Sequence, residues 1–250
     1  MSDSSFKRLP APVAQHFLLV RQTRTSPSTI ACMPRSKAAD LAAPIQPLAR
    51  AFFARDPRLV GRQLLGKILV RESGSTQLTA RIVEVEAYLG LVDPAAHAAA
   101  GRTLRNAVLF GPPGYAYVYF IYGNHYCLNV SCEPEGQAGS VLFRALEPLS
   151  GAAAMARARK VQLNGPRDLP RLTSGPGRLS EAFSITRSRD NGVDLTSPAS
   201  GLWIGDDGYR PGDICEAPRV GITKAAELPL RYFLLHNPFV SGRRTTHGNG

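Results

Sequence analysis

The chain is poor in cysteine and poor in acidic side chains. Four cysteines, Cys32, Cys127, Cys132 and Cys215, are spread over 250 residues. None forms a C-x-x-C pair, so neither a zinc site nor a disulfide framework is expected. Cys127 and Cys132 sit in or beside an apolar run and read as buried thiols, which fits a reducing compartment. No run approaches the ~20 apolar residues of a membrane span. The opening Met1-Ser2-Asp3-Ser4-Ser5 lacks a signal-peptide pattern. These absences predict an intracellular protein, in the cytoplasm and nucleoid or in a nucleus, with no membrane partner. There is no P-loop, no GxGxxG and no internal repeat, so no cofactor and no metal are expected.

The shortage of acid is the more informative lack. Nineteen Asp and Glu face thirty Lys and Arg, for a net charge of +11. Such an excess points to a polyanion partner, nucleic acid first and an acidic membrane second. The 44% of hydrophobic residues is enough for a sizeable core.

Residues 1–45 are rich in Ser, Thr, Pro, Ala and Arg, with no sustained apolar period, and read as a basic flexible tail. Residues 46–240 carry the periodic segments and read as one domain, and residues 241–250 read as a loose C-terminal tail. From Pro47 to Leu65 apolar residues recur at helical spacing, broken at Asp56-Pro57, which predicts two short helices. Strands are predicted over 67–71 and 77–88, and on both sides of Gly123-Asn124, a hairpin signal. Further strands are predicted over 140–146, 202–204 and 232–234. Helices are expected over 151–160 and 179–185, with a Pro-broken loop over 161–173. Strands outnumber helices and are mostly hairpin-linked. The expected fold is therefore α+β, a single domain with a curved, mostly antiparallel sheet, a protruding hairpin and surrounding helices.

Chemistry concentrates in Arg81-Ile82-Val83-Glu84-Val85-Glu86-Ala87-Tyr88-Leu89-Gly90. Val83, Val85 and Ala87 alternate with Glu84, Glu86 and Tyr88, the period of a strand. One face enters a core and the other carries two carboxylates and an aromatic ring. A carboxylate beside aromatic rings activates a water in a dry cleft while a planar group stacks next to it. The plainer alternative is an exposed strand face with solvated glutamates. Arg144 is a charge inside an apolar strand and calls for a carboxylate partner, structural or part of a site. His97 falls in a loop. Tyr122, at a hairpin tip, either wedges between bases or packs against its neighbours.

Several segments resemble the alkyladenine DNA glycosylases, also called methylpurine or 3-methyladenine DNA glycosylases. They are the run around Glu84 and Glu86 with His97; Gly101-Arg102-Thr103-Leu104-Arg105-Asn106; Tyr117 to Gly123 with Cys127-Leu128-Asn129; Val141 to Pro148; and Ser174-Gly175-Pro176. The order runs from about residue 50 to 240. The resemblance implies a monofunctional glycosylase that flips alkylated or deaminated purines out of DNA and hydrolyses the N-glycosidic bond. The class spans 3-methyladenine, 7-methylguanine, hypoxanthine and ethenoadenine, and the product is an abasic site. It implies that Glu86 is the general base, with Arg144 near the catalytic water. It implies that Tyr88, His97 and Tyr119 sandwich the flipped base, that Asn129 discourages guanine and that Tyr122 enters the minor groove. Arg102 and Arg105 would hold phosphates. Damaged double-stranded DNA is the implied partner of a monomer. No lysine sits in the matching motifs, which argues against lyase chemistry. Three departures stand out: Leu104 where Pro is expected, Asn124 where Met is common, and a shortened Pro-rich loop over 161–173. The rivals are a catalytically silent nucleic-acid-binding module and a carbohydrate hydrolase using Glu84 and Glu86.

Overall fold

The computed structural model describes residues 44–121 and 123–242. Most of the segment read as an N-terminal tail, Tyr122, and residues 243–250 lie outside the described residues. Strand β1 (Gln46–Pro47) leads into helices α1 (Arg50–Phe53) and α2 (Pro57–Leu64). Strands β2 (Ile68–Ser73) and β3 (Thr76–Tyr88) form a hairpin. Strands β4 (Ala116–Ile121) and β5 (His125–Cys132) form a second, and β6 (Gly139–Ser150) follows. Helices α3 (Ala152–Ala158), α4 (Pro170–Thr173), α5 (Pro176–Ala182) and α6 (Arg187–Asp190) precede strands β7 (Leu202–Asp206), β8 (Ile214–Ala217) and β9 (Arg231–Leu234).

The strands make one antiparallel sheet in the order β1-β7-β2-β3-β6-β5-β4, with β8 and β9 branching from β3. Branching follows from length. The first half of β3 pairs β2, from Ser73↔Thr76 to Ile68↔Arg81. Its second half outruns β2 and takes β9 on the same edge, with Glu84↔Phe233 and Glu86↔Arg231. The other edge of β3 is covered by β6 from Thr79 to Tyr88. Glu84 and Glu86 therefore lie between two strands, at the centre of the sheet.

A change of parity in β3 decides which face these carboxylates occupy. Leu78, Ala80 and Ile82 enter the principal core, and so do Val83, Val85 and Ala87. Consecutive Ile82 and Val83 both face inward, where the β3–β6 register shifts between Ile82 and Glu84 and shifts again between Glu84 and Val85. A bulge of this kind re-aims every side chain beyond it. Without it, even-numbered Glu84 and Glu86 would continue the parity of Ile82 into the core. With it, they reach the opposite face, where a smaller cluster of Tyr117, Tyr119, Cys127 and Leu142 packs with Tyr88.

Helices cover the principal core. Helix α2 buries Pro57, Val60, Gly61 and Leu64, an i, i+3, i+4, i+7 stripe. It starts at Asp56, whose side chain accepts from the Arg58 N–H at 2.8 Å, with Pro57 in the first turn. Helix α5 begins at Pro176, earlier than the predicted 179, because Gly175 (φ +126°) admits the turn and proline is pre-set for a first helical position. The same property puts the short α4 at Pro170, inside the segment read as a loop. Strands β1 and β8 were not anticipated, being two and four residues long. Among the described residues no helix is long and apolar enough to cross a membrane.

Gly90, just after β3, has φ +70°, and a Cβ there would stand 1.9 Å from the Ala138 carbonyl oxygen. Left-handed backbone alone costs a non-glycine residue about 1–2 kcal/mol, and the clash is with main chain that cannot rotate away. Gly90→Ala should therefore lower unfolding stability by more than about 2 kcal/mol in urea titration. An unchanged midpoint would show that this turn tolerates a side chain.

Candidate active site

The register across the sheet sets the floor of the site. Tyr117, Asn129, Leu142, Glu86 and Arg231 form one row across β4, β5, β6, β3 and β9. Tyr88 pairs Ser140 in the next row on one side. Tyr119 pairs Cys127 on the other. Neighbouring strands stand about 4.8 Å apart, which puts Glu86 and Asn129 about 10 Å apart across β6. Above this floor lies a cavity of about 420 Å³, a volume suited to a small planar ligand. Its walls include Glu86, Tyr88, His97, Tyr119, Asn129 and Arg144. The structure thus brings six of the sequence-predicted site residues to one cavity. Arg102 and Arg105 lie outside it, exposed on the 101–106 loop. Tyr122 is not among the described residues.

Glu86 is fully buried, which rules out the exposed, solvated strand face considered as the plainer alternative. Its Oε1 accepts from the Val220 backbone N–H at 2.7 Å and lies 3.1 Å from Arg144 Nη1. Its Oε2 accepts from the Tyr88 hydroxyl at 3.0 Å. An ionised carboxylate offers about four lone-pair sites. Two donors approach Oε1 and one approaches Oε2. Burial raises the proton affinity of Glu86 above the ordinary glutamate value, and the nearby Glu84 adds to this. The Arg144 charge, the Val220 amide and the Tyr88 hydroxyl pull the other way. A carboxylate so placed is a stronger base than one in water and accepts a proton from a water.

Arg144 has two carboxylate partners. Its Nε donates to Glu84 Oε1 at 3.1 Å, while Nη1 faces Glu86. Glu84 also accepts from Arg231 Nη1 at 3.1 Å and from the Ser241 N–H at 2.5 Å. Ser241 Oγ in turn accepts from Arg144 Nη2 at 3.3 Å. Two carboxylates and two guanidiniums are thereby matched at buried positions. Ser241, the first residue of the segment read as a loose tail, is buried and tied to this network.

Two further groups border the cavity. His97 packs edge-to-face on Tyr119, ring centroids 4.4 Å apart, and shares a 3.0 Å hydrogen bond through Nδ1 with the Tyr117 hydroxyl. Partial burial of its ring and the Arg105 charge hold its proton affinity below the ordinary histidine value, so it is neutral at pH 7. Its loop is stapled by buried Asn106, whose Nδ2 donates to the carbonyls of His97 and Gly101. Burial pushes the phenols of Tyr88 and Tyr119 far up, and both stay protonated. Asn129 is nearly buried, and its Oδ1 has no hydrogen-bond partner. Such an orphan on a cavity wall is suited to meet a donor on a ligand. On the second border, Asp93 and Arg219 form an ion pair with no exposed side-chain surface, and the Arg219 guanidinium lies 4.6 Å from the Tyr88 ring centroid.

Sequence reasoning missed Arg231, Ser241, Asp93, Arg219 and Val220. Two of them carry the signal that singled out Arg144. Arg231 sits in Leu230-Arg231-Tyr232-Phe233-Leu234, and Arg219 opens Arg219-Val220-Gly221-Ile222, each a charge in an apolar run. Backbone contacts from Ser241 and Val220 leave no trace in residue type.

The family model described as Methylpurine-DNA glycosylase (MPG) matches residues 51–238. A protein of Koribacter versatilis, provisionally named 3-methyladenine DNA glycosylase, is 62% identical over 212 residues, 85% of this chain and 99% of the relative. A protein of the same provisional name from Burkholderia lata is 49% identical, covering 78% of this chain and 91% of its own length. Another from Alkaliphilus oremlandii is 42% identical, covering 78% and 98%.

The two glutamates should differ in what they contribute to stability. Glu84→Gln leaves two buried guanidiniums short of a carboxylate and should cost about 3–5 kcal/mol in denaturant titration at pH 7. Glu86 has the opposite sign. A carboxyl whose proton affinity rises on folding contributes stability that is complete below its unfolded pKa and is lost as pH rises through its folded one. Wild type should therefore lose stability relative to Glu86→Gln as pH rises above the ordinary glutamate value of 4.5. Equal costs for both substitutions, at every pH, would contradict this division.

Proposed function

The chain belongs to the methylpurine-DNA glycosylase family, and from that membership we propose that it removes damaged purines from DNA by hydrolysing the N-glycosidic bond. The substrates are alkylated or deaminated purines of the 3-methyladenine, 7-methylguanine, hypoxanthine and ethenoadenine class. The partner is damaged double-stranded DNA, bound by a monomer inside the cell. One observation carries the reading: a fully buried glutamate, hydrogen-bonded by Tyr88, in a cavity walled by aromatic rings.

A purine inside a duplex cannot reach such a cavity, so the nucleotide must be extruded, at a cost of a few kcal/mol. Stacking on Tyr88, His97 and Tyr119 offsets that cost by roughly 1–3 kcal/mol for the flipped base. Tyr122 fills the gap left in the duplex. Arg102 and Arg105, exposed beside the His97 loop, hold phosphates and set register without reading sequence. Glu86 Oε2 takes the proton of a water that attacks the sugar C1′ as the bond to the purine breaks. Arg144 and the Tyr88 hydroxyl hold the carboxylate in its rotamer. A cationic purine such as 3-methyladenine leaves without prior protonation. No lysine lines the cavity among the described residues, which supports a monofunctional reaction ending at the abasic site.

Glu86→Gln should bind a lesion duplex almost as wild type does, yet release base slower by about two orders of magnitude or more, because the amide takes no proton. Single-turnover excision followed by alkaline strand cleavage reads both properties, and near-normal release by the variant would remove Glu86 from the mechanism.

Asn129 guards the cavity against normal guanine, whose 2-amino group finds no room beside its side chain. Asn129→Ser should reduce discrimination between hypoxanthine and guanine by about one to two orders of magnitude. An unchanged ratio of the two single-turnover rates would assign Asn129 to packing alone.

A further inference from the structure

The buried Asp93–Arg219 pair touches three walls of the cavity without lining it. Arg219 Nη1 and Nη2 donate to the two Asp93 oxygens at 2.5 and 2.9 Å. Nη1 also donates to the Ala87 carbonyl at 3.1 Å, the residue between Glu86 and Tyr88. The guanidinium lies over the Tyr88 ring. The next residue in the chain, Val220, places its N–H on Glu86. Asp93, for its part, accepts from the N–H groups of Leu89 and Ala95 and so shapes the turn that leads to His97. One ion pair thus joins β3, the His97 loop and the 219–222 segment.

Its cost makes a purely structural role a poor explanation. Two charges with no exposed surface lose their hydration, and buried ion pairs are often replaced by apolar pairs without loss of stability. What an apolar pair lacks is a planar fork that fixes the backbone beside it and a positive charge near Glu86.

We propose that Arg219, held by Asp93, is a positioning residue of the glycosylase reaction: it sets the Val220 amide on Glu86, fixes the Tyr88 ring and thereby keeps the base ionised and aimed. The proposal rests on Glu86 being the general base. The charged and titratable groups facing Glu86 are Glu84 and Tyr88 on its own strand, Arg144 on β6, Arg231 on β9, Cys127 on β5 and Arg219 itself. Of these, Arg144 is already shared with Glu84, and Arg231 is bound to Glu84. Arg219 is likewise paired with Asp93, so it acts on Glu86 chiefly through the Val220 amide, a main-chain hydrogen bond that neither Arg144 nor Arg231 supplies.

The test compares wild type, Arg219→Lys and the double variant Asp93→Asn/Arg219→Gln. Lysine keeps the charge and the Asp93 partner but loses the fork. The amide pair keeps volume and a hydrogen bond but loses both charges. Single-turnover rates on a duplex carrying 7-methylguanine are measured from about pH 5 to about pH 9, beside binding to a duplex with an uncleavable abasic-site analogue and the thermal midpoint. The double variant should lose at least about tenfold in rate at neutral pH, with its acid limb moved to higher pH and analogue binding near wild type. Arg219→Lys should show a smaller shift of the limb. A lowered thermal midpoint with the rate and acid limb of wild type, in either variant, would overturn the proposal and leave the pair a structural tie. Glu86→Gln run in parallel separates the two levels. If it still releases base, the underlying reading fails. If it is inactive while the Arg219 variants behave as wild type, only the positioning role fails.

Discussion

The structure depends on matched charge at buried positions. Glu84, Glu86, Arg144 and Arg231 are all at least nine-tenths buried, on three adjacent strands. Each ion in such a place loses several kcal/mol of hydration, and the losses are recovered only if every charge meets a partner in good geometry. Glu84 meets three donors and Arg144 meets two carboxylates. Glu86 also meets three donors, Val220, Tyr88 and Arg144. Of the two carboxylates, it is the one that borders the cavity. Glu84 behaves as the counter-ion that lets Arg144 remain buried, and Arg144 lets Glu86 remain charged.

The backbone arrangement makes that chemistry possible. A strand of thirteen residues exceeds what one neighbour covers, so β3 takes two partners on one edge. That branching surrounds Glu84 and Glu86 with main chain whose hydrogen bonds are already satisfied. The register shift then turns the carboxylates away from the apolar core and toward the face of the aromatic cluster. Neither device is a feature of the glutamates themselves. The same two residues one position out of phase would have been unpaired charges among Val60, Leu64 and Phe143.

Much of this arrangement was legible in residue type and spacing. Alternation from Val83 to Tyr88 located the central strand, and the hairpin residues around Gly123-Asn124 located β4 and β5. Arg144 announced a carboxylate partner because a lone guanidinium in an apolar strand is untenable. Other parts were not legible. The bulge at Val83 leaves the alternation intact on each side, so only the register reveals it. Helix α5 begins where proline starts a helix instead of ending one. Val220 and Ser241 act through main-chain N–H groups that every non-proline residue has. Their contribution becomes visible only when the chain has brought them to a carboxylate.

The central claim is that burial leaves Glu86 with a raised proton affinity while its partners keep it usable as a base. Infrared difference spectroscopy tests this most directly. The carboxyl stretch of Glu86 is isolated by subtracting the spectrum of Glu86→Gln and followed as pH is changed in the free protein. The account predicts that the band titrates above the ordinary glutamate value of 4.5. A band that titrates at or below that value would show an ordinary or over-stabilised carboxylate, and would contradict the account.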